Sequence, residues 1–198
     1  MEYFSLNFGD TIIGPVAYSP ENSLLSYELI EGLIDKKEMP YDLIIRKVSE
    51  GEKGLIVEDD LDNLEVVWED FLPNNIGVPL MSEKLKNIIE GNLFGNEDID
   101  WVTCKVWAKD KFKIYYIIRF NTLLDVLDIQ KTKYLAGTDL IIIPYFSSDK
   151  INQFSVFTIP TSDNLYKISL SLFVNYTIKK LIQKEKLKGV DFSTIKIS

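Results

Sequence analysis

The sequence has 198 residues, 46% hydrophobic and 26% charged, with 30 acidic against 22 basic side chains and a formal charge of -8; a folded chain of this length buries a core without staples. It has no histidine and a single cysteine, Cys104, which excludes Ser-His and Cys-His dyads, histidine-held zinc or haem, and an internal disulfide. The acidic balance argues against nucleic-acid binding, which needs clustered Lys and Arg.

Met1 to Phe8 shows no basic leader, and no apolar run approaches the roughly 20 residues of a membrane span. The expectation is a cytoplasmic chain. Tyr3–Phe8 alternates and predicts a first strand, ended by Gly9-Asp10. Across 24–34, Ser19-Pro20-Glu21 resembles a helix start, yet Leu25, Tyr27 and Leu29 alternate, and the alternation favours a strand. Leu43-Ile44-Ile45, Leu55-Ile56-Val57 and Leu64 to Trp68 read as further short strands, and Pro73 to Gly77 as a turn cluster.

A helix follows, with Ser82 as its cap, Glu83 at the positive end of its dipole, Leu85, Ile88 and Ile89 as its apolar stripe, and Gly91 as its stop. Residues 101–107 and 113–120 form a hairpin around Lys109-Asp110-Lys111. Its Trp101 and Trp107 point away from Val102, Cys104 and Val106, as a second buried face or an exposed anchor. Asn121 is placed to cap a short helix through Leu127, strands are expected at 139–143, 154–159 and 165–174, and Asn175 caps a closing helix terminated by Gly189. Val190-Asp191-Phe192 returns as a short extension. The class is α+β: strand-rich, mainly antiparallel, with a few short helices including a C-terminal one. The turn at 73–77 separates an acidic strand-rich part, 1–75, from an α+β part, 76–198, the two expected to pack as one unit.

Charge is unevenly placed. Residues 1–80 hold 17 acids and 5 bases, a balance of -12, while 81–198 hold 13 acids and 17 bases, a balance of +4. Glu58, Asp59, Asp60, Asp62, Glu65, Glu69 and Asp70 crowd the end of the acidic part. Two readings fit: a solvated face that aids solubility, or a docking surface for a basic partner.

The motifs of catalysis are missing. Asp59-Asp60-Leu61-Asp62-Asn63 fails the EF-hand template, because Leu64 and Glu65 fall at its fifth and sixth places. No phosphate-binding glycine loop or nucleophile elbow occurs, so no cofactor and no metal are expected. Cys104 reads as an inert core thiol. Carboxylate pairs remain: Asp70, beside Trp68 and Phe71, and Asp125 with Asp128, three residues apart on the expected helix.

From Trp68-Glu69-Asp70-Phe71-Leu72-Pro73 through Gly77-Val78-Pro79-Leu80-Met81-Ser82-Glu83-Lys84-Leu85, then Asn121 to Asp128, Leu172-Phe173-Val174-Asn175 and Gly189-Val190-Asp191-Phe192, the order of features resembles the immunity proteins of bacterial polymorphic toxin systems. The likeness covers about residues 68–198, with one departure: Gln130-Lys131-Thr132 replaces a usual Ser. The resemblance implies a cytoplasmic protein that neutralises a cognate toxin by binding it, a nuclease being the simplest partner for an acidic face. A histidine-free hydrolase using carboxylates such as Asp70 and Asp125, and an adaptor unrelated to toxins, are the alternatives. Stoichiometry is not legible.

Overall fold

In a computed structural model, which describes residues 1–9, 13–24, 26–161 and 163–198, strands form where the alternating segments find ladder partners. In chain order the elements are β1 (Tyr3–Phe8), β2 (Gly14–Tyr18), α1 (Ser26–Gly32), β3 (Leu43–Gly51), β4 (Gly54–Glu58), β5 (Phe71–Leu72), β6 (Leu80–Met81) and α2 (Glu83–Glu90). They continue with β7 (Ile99–Ala108), β8 (Lys111–Phe120), β9 (Lys133–Tyr134), β10 (Ile141–Ile143), α3 (Ser148–Ile151), β11 (Val156–Thr158), a 3-10 turn (Asn164–Lys167), β12 (Leu172–Asn175), α4 (Tyr176–Lys184) and β13 (Val190–Thr194). The strand-rich α+β class with a C-terminal helix is what the structure shows.

The larger sheet runs β2-β3-β7-β8-β6-β5, with β4 paired to β3, and the smaller runs β11-β12-β1-β13. Strands in both pair antiparallel except β3 with β7. The β7–β8 hairpin turns at Lys109, which takes a left-handed φ of 53°.

The larger sheet is buried on both faces around β8. Tyr115 and Ile117 face one core, shared with Leu72, Leu80, Val102, Cys104, Val106 and the α1 residues Leu29 and Ile30. Ile118 and Phe120 face the other, with Phe71, Met81, Leu85 and Ile89 of α2, Ile178 and Ile182 of α4, and a cluster of Phe146, Phe157 and Phe173. Successive residues of β5, β6 and β8 therefore alternate between two cores, as a pleat requires. Cys104 lies in the first core, and burial pushes its thiol up to about 12, the state of an inert cysteine. Trp101 packs against the second core, while half-buried Trp107 donates its indole N–H to Asp42 at 2.7 Å.

Several expectations are corrected. Within 24–34 the chain forms the helix α1 (Ser26–Gly32), because Leu29, Ile30 and, just past its end, Leu33 cover one face against the core while Tyr27 points to solvent; Leu25, like Asp10 after the first strand, lies outside the described residues. Residues 64–68 form no strand. An Asp60 carboxylate accepts from the Asp62 N–H at 2.9 Å and Asn63 adopts φ 66°, so the chain turns before it can pair. Residues 121–127 form no helix, because the Asn121 carboxamide and N–H are both committed to Asp98; Asp125 and Asp128 then share no helical face. Of 165–174 only the end is a strand: Asp163 caps a 3-10 turn through the Leu165 N–H, and Ser169 accepts from the Ser171 N–H, side chains that compete with a ladder. Gly189 does not end α4, which closes at Glu185; its φ of 73° turns the chain into β13. The caps at Ser82 and Asn175 form as expected, accepting from the Leu85 and Ile178 N–H groups.

Two charged groups are buried with full complements of partners. Glu97 accepts from the Ser155 N–H and hydroxyl and from the Phe94 and Gly95 N–H groups. Burial alone would raise its pKa, and these donors outweigh that, holding the carboxyl below its ordinary value. Arg119, 3% exposed, forks onto both oxygens of Asp100 at 2.6 and 2.5 Å and donates to the Leu33 and Lys36 carbonyls at 2.6 and 2.7 Å. It stitches the β7–β8 hairpin to the chain leaving α1. Arg119→Met is expected to lower the unfolding free energy by about 3 kcal/mol, because it strands the Leu33 and Lys36 carbonyls and leaves the Asp100 carboxylate with Lys37 alone; urea unfolding followed by circular dichroism measures it.

Candidate functional site

The acidic segment leaves β4 and crosses the tip of the β7–β8 hairpin. Glu58, the last residue of β4, pairs with Lys47 of β3 at 2.9 Å, and Asp59 pairs with Arg46 at 2.9 Å. Lys109 at the hairpin tip reaches Asp62 at 2.7 Å and Asp60 at 3.8 Å. These contacts hold Glu58 and Asp62 below the usual carboxylate range, through hydrogen bonds and charge from Lys47 and Lys109, and raise Lys109 in turn. Glu65 is exposed, with no ion-pair partner among the described residues. Four of the seven predicted acids are thus gathered around three cations, Arg46, Lys47 and Lys109, that sequence reading did not connect with them.

The remaining two acids stand elsewhere. Trp68 lines a hollow with Leu61, Asp62 and Lys109 and also lines a cleft of about 540 Å³ formed by Glu69, Asp70, Ser82, Glu83, Lys84, Lys113, Ile114, Tyr115 and Tyr116. The Lys113 ammonium lies 5.0 Å from the Trp68 ring centroid. Asp70 is fully engaged within the chain. One carboxylate oxygen accepts from the Ser82 hydroxyl at 2.6 Å and the other from the Lys188 N–H at 2.8 Å. Its backbone accepts from the Ser82 N–H and donates to the Lys188 carbonyl. Asp70 therefore fixes the start of α2 to the chain that enters β13.

Glu69 is half-buried beside it. Desolvation, and then the Asp70 charge, push its carboxyl from 4.5 up to about 7. The Tyr115 hydroxyl donates to the Glu69 carbonyl at 2.6 Å, and burial raises that phenol too. Gly189 lies against the Glu69 side chain: a Cβ there would come within 2.5 Å of the Glu69 carboxylate and 2.6 Å of the Phe71 carbonyl. Glu69 is thus an acid lining the cleft that its surroundings hold toward the neutral form. Asp70, whose oxygens are occupied, offers nothing free to act with it. Asp125 binds Lys150 at 2.7 Å, and Asp128 closes a turn by accepting from the Gln130 and Lys131 N–H groups. Among the described residues no group of three or more His, Cys, Asp or Glu is placed to hold a metal ion, and no helix is long and apolar enough to cross a membrane.

Sequence reading also missed the exposure of Leu55, Ile56 and Val57, at 58%, 48% and 45%. The sequence carried no signal for this, because an apolar triplet without alternation reads as a strand buried on both faces.

A family model described as the immunity protein family (Imm11) matches residues 55–197. The match begins earlier than residue 68, so it takes in β4 and the acidic segment. A search of curated proteins finds no match.

Glu69 generates a pH dependence of stability. Its folded pKa is raised, so the stabilisation is fully present below about 4.5, the ordinary value, and is lost by the time pH has risen through about 7. Melting temperature is expected to fall across that window. In Glu69→Gln this component disappears, and the variant melts above the parent protein at pH 8; thermal melts at a series of pH values read both effects.

Proposed function

The chain belongs to the Imm11 immunity protein family, and from that premise we propose that it binds and neutralises a cognate bacterial toxin in the cytoplasm, as the immunity partner of a polymorphic toxin system. It acts by covering the toxin and not by catalysis. The docking face is the acidic segment of Glu58, Asp59, Asp60, Asp62 and Glu65, with Glu69 and Asp70 in the adjoining cleft.

The observation that carries this reading is the way the acids are held. Arg46 and Lys47 of β3 and Lys109 of the hairpin tip pin Glu58, Asp59, Asp60 and Asp62 to the larger sheet. Charges fixed on a rigid framework steer encounter and need little further ordering on binding. A nuclease toxin, whose own surface attracts phosphate, is the simplest complement; the acids then compete with nucleic acid for the same cations. Asp70 serves the face from behind, by fixing α2 beside the cleft.

The test is a variant carrying Asp59→Asn, Asp60→Asn, Asp62→Asn and Glu65→Gln, mixed by stopped flow with the toxin encoded beside it. Association at low salt is expected to slow about tenfold or more, with a flatter salt dependence. The substituted groups are exposed, so the fold survives, and a melting curve verifies this. An unchanged rate and salt slope would remove the acidic segment from the interface.

A further inference from the structure

We propose that β4 is an open docking edge that the protein partner extends with a strand of its own, a segment alternating apolar and basic residues. This rests on the docking reading above and adds to it the mode of contact.

β4 pairs with β3 through one edge only. Among the described residues the backbone groups on its other edge meet no strand. The other outer strands of the two larger sheets are blunted. β2 carries Pro15, β13 carries Asp191, and β5 and β11 are short and buried. Natural sheets protect exposed edges with such devices. β4 has only Glu58, at its end: Leu55, Ile56 and Val57 are all exposed, on both faces of the sheet. An unpaired row of N–H and C=O groups flanked by apolar side chains is the surface that strand addition uses.

Charge selects the occupant. Glu50 and Glu52, with Lys53 beside them, precede the strand without ion-pair partners among the described residues; Glu58 ends the strand, and Asp59 and Asp60 follow it. A second copy of the chain laid antiparallel about Ile56 brings Glu52 against Asp60 and Glu50 against Asp62, with only Lys53 against Asp59 in its favour, which opposes self-pairing. A basic strand places cations beside both ends while its apolar residues cover Leu55 and Val57. Another exposed apolar surface, at Leu135, Leu140 and Ile142 around β9 and β10, has Lys131 and Lys133 as well as Asp139 nearby and carries no such bias.

The experiment uses the full chain and three synthetic peptides: alternating Val and Lys, the same composition with a central proline, and alternating Val and Glu. Amide hydrogen exchange is followed by NMR. The Val-Lys peptide is expected to slow exchange of the β4 amides facing away from β3 by about tenfold or more, and the other two to leave them unchanged. Leu55→Lys combined with Val57→Lys, at exposed positions, is expected to abolish the effect. Equal binding of the proline peptide without added protection overturns strand addition and leaves charge-driven docking standing. Absence of binding by the Val-Lys peptide overturns strand addition, and the stopped-flow assay then decides the docking reading separately. Concentration-dependent protection of the same amides in the protein alone assigns the edge to a second copy and also overturns the proposal.

Discussion

A strand buried on both faces leaves no room for error in its pairing, and β8 is such a strand. Tyr115 and Ile117 serve one core, Ile118 and Phe120 the other. A slip of one residue against β7 would send every side chain to the wrong side and bring Arg119 away from Asp100 and from the two carbonyls that close its guanidinium. The helices, the small sheet and the chain after α1 are all arranged to cover this one pleated surface. The docking face proposed above lies at the rim of the large sheet, where Lys109 of the hairpin tip meets Asp60 and Asp62 of the acidic segment.

What could be read from the residues alone was local. Ser82 and Asn175 are caps because each precedes an apolar stripe at helical spacing, and the backbone N–H they accept from is three residues away. The β7–β8 hairpin is visible because two alternating runs flank a polar turn. Three of the misreadings share a cause: a side chain nearby competes for the backbone. Asp60 turns 58–63, Asn121 is claimed by Asp98, and Ser169 and Asp163 hold the chain out of the ladder before β12. Nothing in the hydrophobic pattern reports such bonds.

The candidate site shows the same division. That acids cluster at 58–70 is a property of sequence, but their environment is a property of the fold. Lys109 lies 47 positions from Asp62 and still meets it at 2.7 Å, because the hairpin brings its tip over the end of β4. Asp70 has a contiguous sequence position with Glu69 and an opposite physical fate. One is saturated with donors, and the other is held in a setting that favours its neutral form. The distinction separates an acid that braces the fold from one that can respond to a partner.

The smaller sheet sets the order in which the molecule can be completed. β1 lies between β12 and β13, with Tyr3 opposite Asn175 and Phe8 opposite Val190. β1 is synthesised well before either neighbour, with the larger sheet encoded almost entirely between them. Such distant pairing is slow to find, and until it forms Tyr3 and Leu6 of the second core have nowhere to go. β1 is therefore locked only by strands made much later, so a nascent chain truncated before β12 leaves β1 with neither of its strand partners.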